Sequence, residues 1–187
     1  MNFLAHIYLS GDNTQLKIGN FIADSVKGKQ YLDFPLEIQK GIVLHRAIDT
    51  FTDTHPIVSK SVERLFDRYG HYSRVIVDIL YDHFLAANWK EYCEIPLKEY
   101  TEDFYKLLEE NFEVLPKTVQ NFLPYMVADN WLYNYREIEG IEKISKNVDL
   151  EKSYKKLSAM IKTIEKYVCF LQILLHHLLK MMIKFSF

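Results

Sequence analysis

The sequence has little cysteine, glycine or proline and no excess of positive charge. Its two cysteines, Cys93 and Cys169, lie far apart and lack a CxxC or paired-histidine spacing, which argues against a disulfide framework and a thiolate zinc site. We expect both to be reduced and buried. Six glycines and five prolines leave little material for a turn-dense β protein. The formal net charge of -2 provides no global basic field, so nucleic acid is not an expected partner.

No convincing signal peptide or membrane span is present either. Met1 to Ser10 lacks a basic segment followed by a long apolar core, which predicts a cytoplasmic protein. The strongly apolar end, YVCFLQILLHHLLKMMIKFSF, is interrupted by His176, His177, Lys180 and Lys184. It therefore falls short of the roughly 20 consecutive apolar residues that a spanning helix needs. A core or partner-binding helix is our first interpretation, and membrane-surface contact and an atypical tail are the alternatives; the oligomeric state stays open.

The apolar periodicity predicts an all-α fold. The second predicted helix starts at one of the caps Asp12, Asn13 and Thr14 and ends at Gly28. The other helices are expected over 2–9, 35–55, 57–69, 73–89, 96–112 and 116–135, and from Asp149 onward. The 187 residues suffice for one domain with a real core. We therefore expect a single-domain helical bundle over 1–187, with the candidate site in 1–92 and supporting helices in 93–187.

The segment GIVLHRAIDTFTDTHP concentrates ionisable residues at helical spacing. His45, Asp49 and Asp53 follow one another at i, i+4 and i+8, so they fall along one side of a helix. Because apolar residues accompany this polar column, it is predicted to enter the protein, as metal and catalytic sites of helical bundles do. Gly41 costs about 1 kcal/mol relative to alanine in a helix interior, which indicates close packing or close approach of a ligand.

Three other apolar segments carry similar polar residues. His6 is the only ionisable side chain of NFLAHIYL, and taken alone it is typical of a hydrogen-bonded core histidine. Asp24 follows Asn20 at i, i+4, and it should be exposed, paired or metal-bound because an unpaired buried carboxylate is costly. Asp78 and Asp82 repel each other at i, i+4 unless they are solvated or hold a cation.

Together these segments form an inventory of metal ligands. The set is rich in oxygen, contains nitrogen and has no thiolate, and it comprises His6, Asp24, His45, Asp49, Asp53, His55, Asp78, Asp82 and His83. Such ligands suit Mn²⁺, Mg²⁺ or Fe²⁺ better than structural zinc, although imidazole also accepts zinc. The pattern predicts metal-assisted hydrolysis of a phosphoryl substrate, with carboxylates or histidines that do not bind the metal acting as base and acid.

A row of basic residues follows this polar column. Lys60, Arg64 and Arg68 are spaced i, i+4 and i+8 on the predicted fourth helix. Such a row is typical of a solvated face, and the alternative is a docking strip for an acidic partner or a phosphate.

Four successive motifs, MNFLAHIYLS, GNFIADSVKG, GIVLHRAIDTFTDTHP and YDHFLAANW, resemble those of the bacterial acyl carrier protein phosphodiesterases. The resemblance is close over 1–92 and continues more weakly, through MVADNWLYNY, to about Tyr135. It implies an HD-type helical phosphohydrolase fold, a preference for manganese, and hydrolysis of the phosphodiester that joins 4'-phosphopantetheine to a serine of holo acyl carrier protein. An apolar end such as 168–187 is not expected in this family.

Carried onto this sequence, the resemblance implies metal ligands at Asp24, His45, Asp49 and Asp82. His6, Asp53, His55, Asp78 and His83 become candidates that act as acid or base or support the ligands. Because acyl carrier proteins are acidic, Lys60, Arg64 and Arg68 become the candidate docking residues, with Arg74, Lys27 and Lys29 as further candidates.

Two other functions stay open at this point. One is a metal-dependent phosphohydrolase of a small nucleotide or phosphoester, which would be inert toward holo acyl carrier protein. The other is a non-enzymatic helical module that binds an acidic partner, and its binding would survive chelation.

Overall fold

A computed structural model describes residues 3–137, and it contains eight α-helices and no β-strand within that range. The helices are α1 Phe3–Leu9, α2 Thr14–Ile22, α3 Leu36–Thr54, α4 Pro56–Tyr69, α5 Ser73–Ala87, α6 Leu97–Glu110, α7 Lys117–Ala128 and α8 Trp131–Asn134. Short 3₁₀ turns join several of them. The prediction of an all-α fold is confirmed.

Proline and histidine define the ends of the helix that carries the polar column. Pro35 precedes the first turn of α3, and α3 ends at Thr54, just before His55 and Pro56. Pro56 then occupies the first position of α4, where its missing N–H costs nothing. The sequence therefore predicted the bounds of α3 to within a residue.

Two predicted helices are shorter than the sequence suggested. The second ends at Ile22 and continues as a 3₁₀ turn over Ala23–Ser25, so Asp24 lies on a turn and not within α2. Gly28 does not cap α2; it adopts a left-handed φ of 53° in the following loop. The helix predicted over 116–135 breaks at Asn130, whose φ of 47° is left-handed and tolerated by asparagine.

The core joins α1, α2, α3 and α5 to the supporting helices. Its fully buried large side chains are Leu4, Ile7, Ile18, Ile22, Ile38, Ile42, Leu80, Leu85, Leu108, Met126 and Leu132. Cys93 is a free cysteine and only half-buried, which corrects the prediction that it is buried.

Helices α2 and α3 cross closely at Gly19 and Gly41. A Cβ on Gly41 would collide with the Leu16 carbonyl oxygen and lie 2.8 Å from the Gly19 Cα and from the Asn20 nitrogen. A Cβ on Gly19 would collide with the Ile38 carbonyl oxygen. Close packing, and not a ligand, therefore explains why glycine occupies position 41.

Gly41→Ala is expected to destabilise the protein, although alanine is the better helix former. The atoms that the new methyl group would meet all belong to the backbone of α2, so the two helices must separate. Overpacking of this kind costs about 1–3 kcal/mol, and a melting temperature falls by roughly 2–4 °C per kcal/mol in a chain of this size. Thermal unfolding measures this, with Val43→Ala on the exposed face of α3 as the control. A Gly41→Ala variant as stable as wild type would contradict the close backbone packing of α2 against α3.

No helix among residues 3–137 is long and apolar enough to cross a membrane. The helix predicted from Asp149 onward, with its apolar end over 168–187, lies outside the described residues.

Candidate metal centre

Two buried histidines from different helices meet beside the crossing of α2 and α3. His6 comes from α1 and His45 from α3. Their rings stack with centroids 4.0 Å apart and planes inclined by 16°. The two imidazoles therefore lie face to face.

Asn20 of α2 holds both rings by their Nδ1 atoms. The Asn20 side-chain nitrogen donates to the His6 carbonyl oxygen and to Ser10 Oγ, both at 2.9 Å, so Oδ1 is left as the acceptor. His6 Nδ1–H donates to that Oδ1 at 2.8 Å. His45 Nδ1–H donates to the Asn20 carbonyl oxygen at 2.8 Å and more weakly to Oδ1 at 3.2 Å. With Nδ1–H held by a hydrogen bond in each ring, Nε2 is the nitrogen that presents a lone pair when the imidazole is neutral.

Two carboxylates lie at these Nε2 atoms. Asp49 Oδ1 is 3.2 Å from His6 Nε2, and Asp49 Oδ2 is 3.1 Å from His45 Nε2. Asp24 Oδ1 is 3.2 Å from the same His45 Nε2. The side chains of Asp49 and Asp24 are 46% and 55% exposed, whereas both histidines are buried. The nitrogen ligands of the site are therefore buried, and the carboxylates beside them are accessible to solvent.

The charges at the site are strongly coupled. Burial lowers the pKa of His45, but hydrogen bonds to Asp24 and Asp49 outweigh it and raise that pKa to about 9. Burial opposes ionisation of Asp49, yet the two histidines hold its pKa well below the usual range. His6 differs, because burial keeps its pKa below the ordinary value. Two carboxylates thus face the Nε2 atoms, and their negative charges favour a cation between the carboxylates and the imidazoles.

The residues present fit a metal ion. Ligand atoms of His6, His45 and Asp49 all lie within 4.8 Å of one another. Within the described range, the buried Nε2 of His6 makes no hydrogen bond, although it lies 3.2 Å from Asp49 Oδ1. A buried nitrogen whose lone pair lacks a donor is suited to metal binding. His6, which the sequence suggested as an acid, base or supporting residue, thus joins the candidate ligands.

Asp82 has a different position from the one that a metal ligand requires. It is 0% exposed, and its two oxygens accept the backbone N–H groups of Leu4 and Ala5 at 3.0 and 2.9 Å. These are free N–H groups of the first turn of α1, which a carboxylate stabilises. Burial raises the pKa of Asp82 to about 7, against the effect of the two amides. The proposed ligand role of Asp82 finds no support in this geometry; its carboxylate anchors the helix that carries His6.

Three predicted acid or base residues also make structural contacts. Asp53 forms an ion pair with Arg74 at 2.8 Å on the surface. Each four-residue step along a helix rotates the side chain by about 40°, so Asp53 is turned away from the side of α3 that carries His45. His55 caps α4 by accepting the Ile57 N–H at 3.3 Å. His83 Nδ1–H donates to the Tyr135 carbonyl oxygen at 2.7 Å.

Asp78 of α5 is half-buried and keeps its candidate role. Its pKa is raised by burial, and the charges of Asp49 and Asp53 act in the same direction. A carboxyl group with a raised pKa is suited to hold and deliver a proton.

Asn20 is the residue whose role sequence reasoning missed. In the sequence analysis Asn20 enters only through its i, i+4 spacing to Asp24. The signal that could have found it is an amide side chain inside an apolar segment, since a buried amide requires hydrogen-bond partners.

The family model for acyl carrier protein phosphodiesterase matches residues 1–181, well into the apolar end that the motif resemblance did not reach. A relative named acyl carrier protein phosphodiesterase from Pectobacterium atrosepticum is 32% identical over 145 residues, which is 77% of this chain and 75% of the relative. One with the same name from Escherichia coli O6:H1 is 32% identical over 148 residues, with the same shares. One from Photorhabdus laumondii is 29% identical over 161 residues, 86% of this chain and 80% of the relative. No solved structure matches the chain, so the likeness to HD-type folds stays a prediction.

Proposed function

The chain belongs to the acyl carrier protein phosphodiesterase family, and we propose that it hydrolyses the phosphodiester between 4'-phosphopantetheine and a serine of holo acyl carrier protein. The products are the apo protein and free 4'-phosphopantetheine. The observation that supports this most is the approach of Asp49 to the Nε2 atoms of His6 and His45. That arrangement supplies the ligands that metal-assisted phosphoester hydrolysis needs.

We assign His6, His45 and Asp49 as the residues that hold a divalent cation. Asp24 is the proposed fourth ligand, because its carboxylate contacts the same nitrogen of His45 as Asp49 does. Manganese is our first choice and magnesium or iron(II) the alternatives, since the donor set mixes imidazole with carboxylate. When bound, such a cation polarises a phosphoryl oxygen and lowers the pKa of water.

The remaining residues of the site orient the ligands and move protons. In the hydrolysis, water adds a hydroxyl group to phosphorus, the bond from phosphorus to the serine oxygen breaks, and the serine oxygen takes up a proton. Asp78 is the proposed donor of that proton, because burial favours its protonated form. Asp82 and Asn20 place α1 and the two imidazoles.

The basic row on α4 is the proposed docking surface for the acidic carrier protein. Lys60, Arg64 and Arg68 are all exposed, and α4 starts directly after the helix that carries His45 and Asp49. Arg74 is a weaker candidate, because Asp53 already balances its charge. Lys27 and Lys29 are exposed in the loop after Asp24 and stay further candidates.

Replacing Lys60, Arg64 and Arg68 by glutamine is expected to raise KM for holo acyl carrier protein on the order of tenfold, since surface charges steer the encounter of the partners. The value of kcat should change little. Steady-state kinetics at two ionic strengths measure this, and salt should raise the wild-type KM more than that of the variant.

A matched control removes three positive charges elsewhere. Lys98, Lys106 and Lys117 are exposed on α6 and α7, and their glutamine variant has the same net charge as the first variant. An equal rise of KM in both triple variants would show that net charge, and not the row on α4, governs docking.

The proposed reaction is tested by incubating holo acyl carrier protein with the full chain and Mn²⁺ and following the carrier protein by intact mass spectrometry. Loss of the phosphopantetheine mass, abolished by EDTA and restored by Mn²⁺, is the expected result. An unchanged mass would overturn the proposed substrate. Activity on small phosphoesters alone, or binding that persists in EDTA without turnover, would favour the other two functions.

We also propose that residues 1–187 form a single domain and that the protein acts in the cytoplasm.

A further inference from the structure

We propose that Asn20 is the positioning residue of the metal centre, which presents both imidazoles to the ion through Nε2. The inference rests on the proposed function and deepens it. It concerns which nitrogen of each histidine carries the proton, and not the identity of the ligands.

Asn20 is suited to this task because it both donates and accepts. Its side chain is 0% exposed, so each of its polar atoms requires a partner. The amide nitrogen has two acceptors, the His6 carbonyl oxygen and Ser10 Oγ, and Ser10 Oγ itself donates to the same carbonyl at 2.9 Å. This closed network orients the amide and leaves Oδ1 facing the imidazoles.

The two histidines depend on Asn20 to different degrees. In the described part of the chain, His6 Nδ1–H donates to Asn20 Oδ1, at 2.8 Å. His45 Nδ1–H donates mainly to the Asn20 carbonyl oxygen, which any residue at position 20 provides. Removing the amide should therefore release His6 and leave His45 oriented.

The close contact between α2 and α3 at Gly19 and Gly41 explains how Asn20 reaches His45. Asn20 follows Gly19 directly, and His45 lies one turn after Gly41 on the same side of α3. Because neither glycine has a Cβ, the α2 backbone approaches α3 closely enough for the 2.8 Å hydrogen bond from His45 Nδ1 to the Asn20 carbonyl oxygen. The crossing is thus part of the site.

The test is a titration of the full chain with Mn²⁺. Asn20→Ala is expected to weaken Mn²⁺ affinity by about 10–100-fold, the usual effect of losing a residue that orients a ligand. Gln120→Ala is the matched control, because Gln120 is also a buried amide whose nitrogen bonds two backbone carbonyl oxygens, of Phe112 and Leu115. The control should lose stability but keep wild-type affinity. Equal affinity in Asn20→Ala and wild type, or equal weakening in both variants, would overturn the inference.

A second readout examines the protonation of the histidines, and its wild-type measurement does not need the variant to fold. Long-range ¹H–¹⁵N spectra of the Zn²⁺-loaded wild type should show His6 and His45 each with a proton on Nδ1 and the metal on Nε2. In Zn²⁺-loaded Asn20→Ala, the His45 pattern should persist and that of His6 should change. Metal on Nδ1 of either ring in the wild type would overturn the inference, whatever the variant does.

Turnover of holo acyl carrier protein by the same wild-type preparation separates this inference from the proposed function. Turnover with unchanged affinity in Asn20→Ala overturns the role of Asn20 alone. Weakened affinity without turnover in the wild type contradicts the substrate and supports the role of Asn20. A wild-type protein that binds neither Mn²⁺ nor Zn²⁺ overturns the metal centre and the role of Asn20 together.

Discussion

Asp49→Asn is expected to lower the turnover of holo acyl carrier protein by roughly 10³-fold, because a bound metal contributes several kcal/mol of charge stabilisation and each 1.4 kcal/mol corresponds to about a factor of ten. Asp49 is the one carboxylate that contacts the Nε2 atoms of both His6 and His45 in the described structure. The amide of the variant keeps the size of the side chain but removes the charge that holds a cation. Metal affinity, measured by titration, should fall together with turnover.

Asp53→Asn is the matched control for this prediction. Asp53 lies one turn further along α3, is likewise accessible, and pairs with Arg74 on the surface. Since an exposed ion pair is worth about 0–1 kcal/mol, this variant should keep wild-type turnover within roughly a factor of two. Full activity of Asp49→Asn, or an equal loss in both variants, would contradict the assignment of the centre.

Asp82→Ala is expected to destabilise the protein by about 2–4 kcal/mol, even with EDTA present. The change leaves the buried N–H groups of Leu4 and Ala5 without an acceptor, at roughly 1–3 kcal/mol each, and it removes a buried carboxylate whose own desolvation offsets part of this loss. For a chain of this size the melting temperature should fall by roughly 4–16 °C.

The presence or absence of metal separates the two roles considered for Asp82. An anchor of α1 stabilises the protein whether or not metal is bound, whereas a ligand does so only with metal. Asp82→Asn retains one good acceptor oxygen and should lie between wild type and Asp82→Ala. A melting temperature of Asp82→Ala that matches wild type in EDTA and falls only with Mn²⁺ would restore the ligand role.

The sequence predicted the helical class and the central part of the site. The spacing of His45 and Asp49 places both on one side of α3, as a period of 3.6 residues requires, and their side chains are in contact. Gly41 indicated either close packing or close approach of a ligand, and the structure shows close packing, with Gly19 as the neighbour. These successes rest on local periodicity and backbone sterics, which the sequence encodes directly.

The roles of the other polar residues could not be read in the same way. Asp82 and His83 have helical neighbours typical of a site, yet Asp82 contacts α1 and His83 contacts the Tyr135 carbonyl oxygen. Both partners are backbone groups more than 50 residues away, and local periodicity carries no information about such contacts. Asn20 was missed for the same reason, because its importance lies in joining α1 to α3.

The most direct measurement of the central claim is the reaction of holo acyl carrier protein with the Mn²⁺-loaded enzyme in water enriched in ¹⁸O. We predict one heavy oxygen in the released 4'-phosphopantetheine, none in the apo protein, and release that is roughly 10³-fold slower with Asp49→Asn. Heavy oxygen in the apo protein, a dehydrated serine, or wild-type release by the Asp49→Asn variant would contradict hydrolysis at phosphorus by this metal centre.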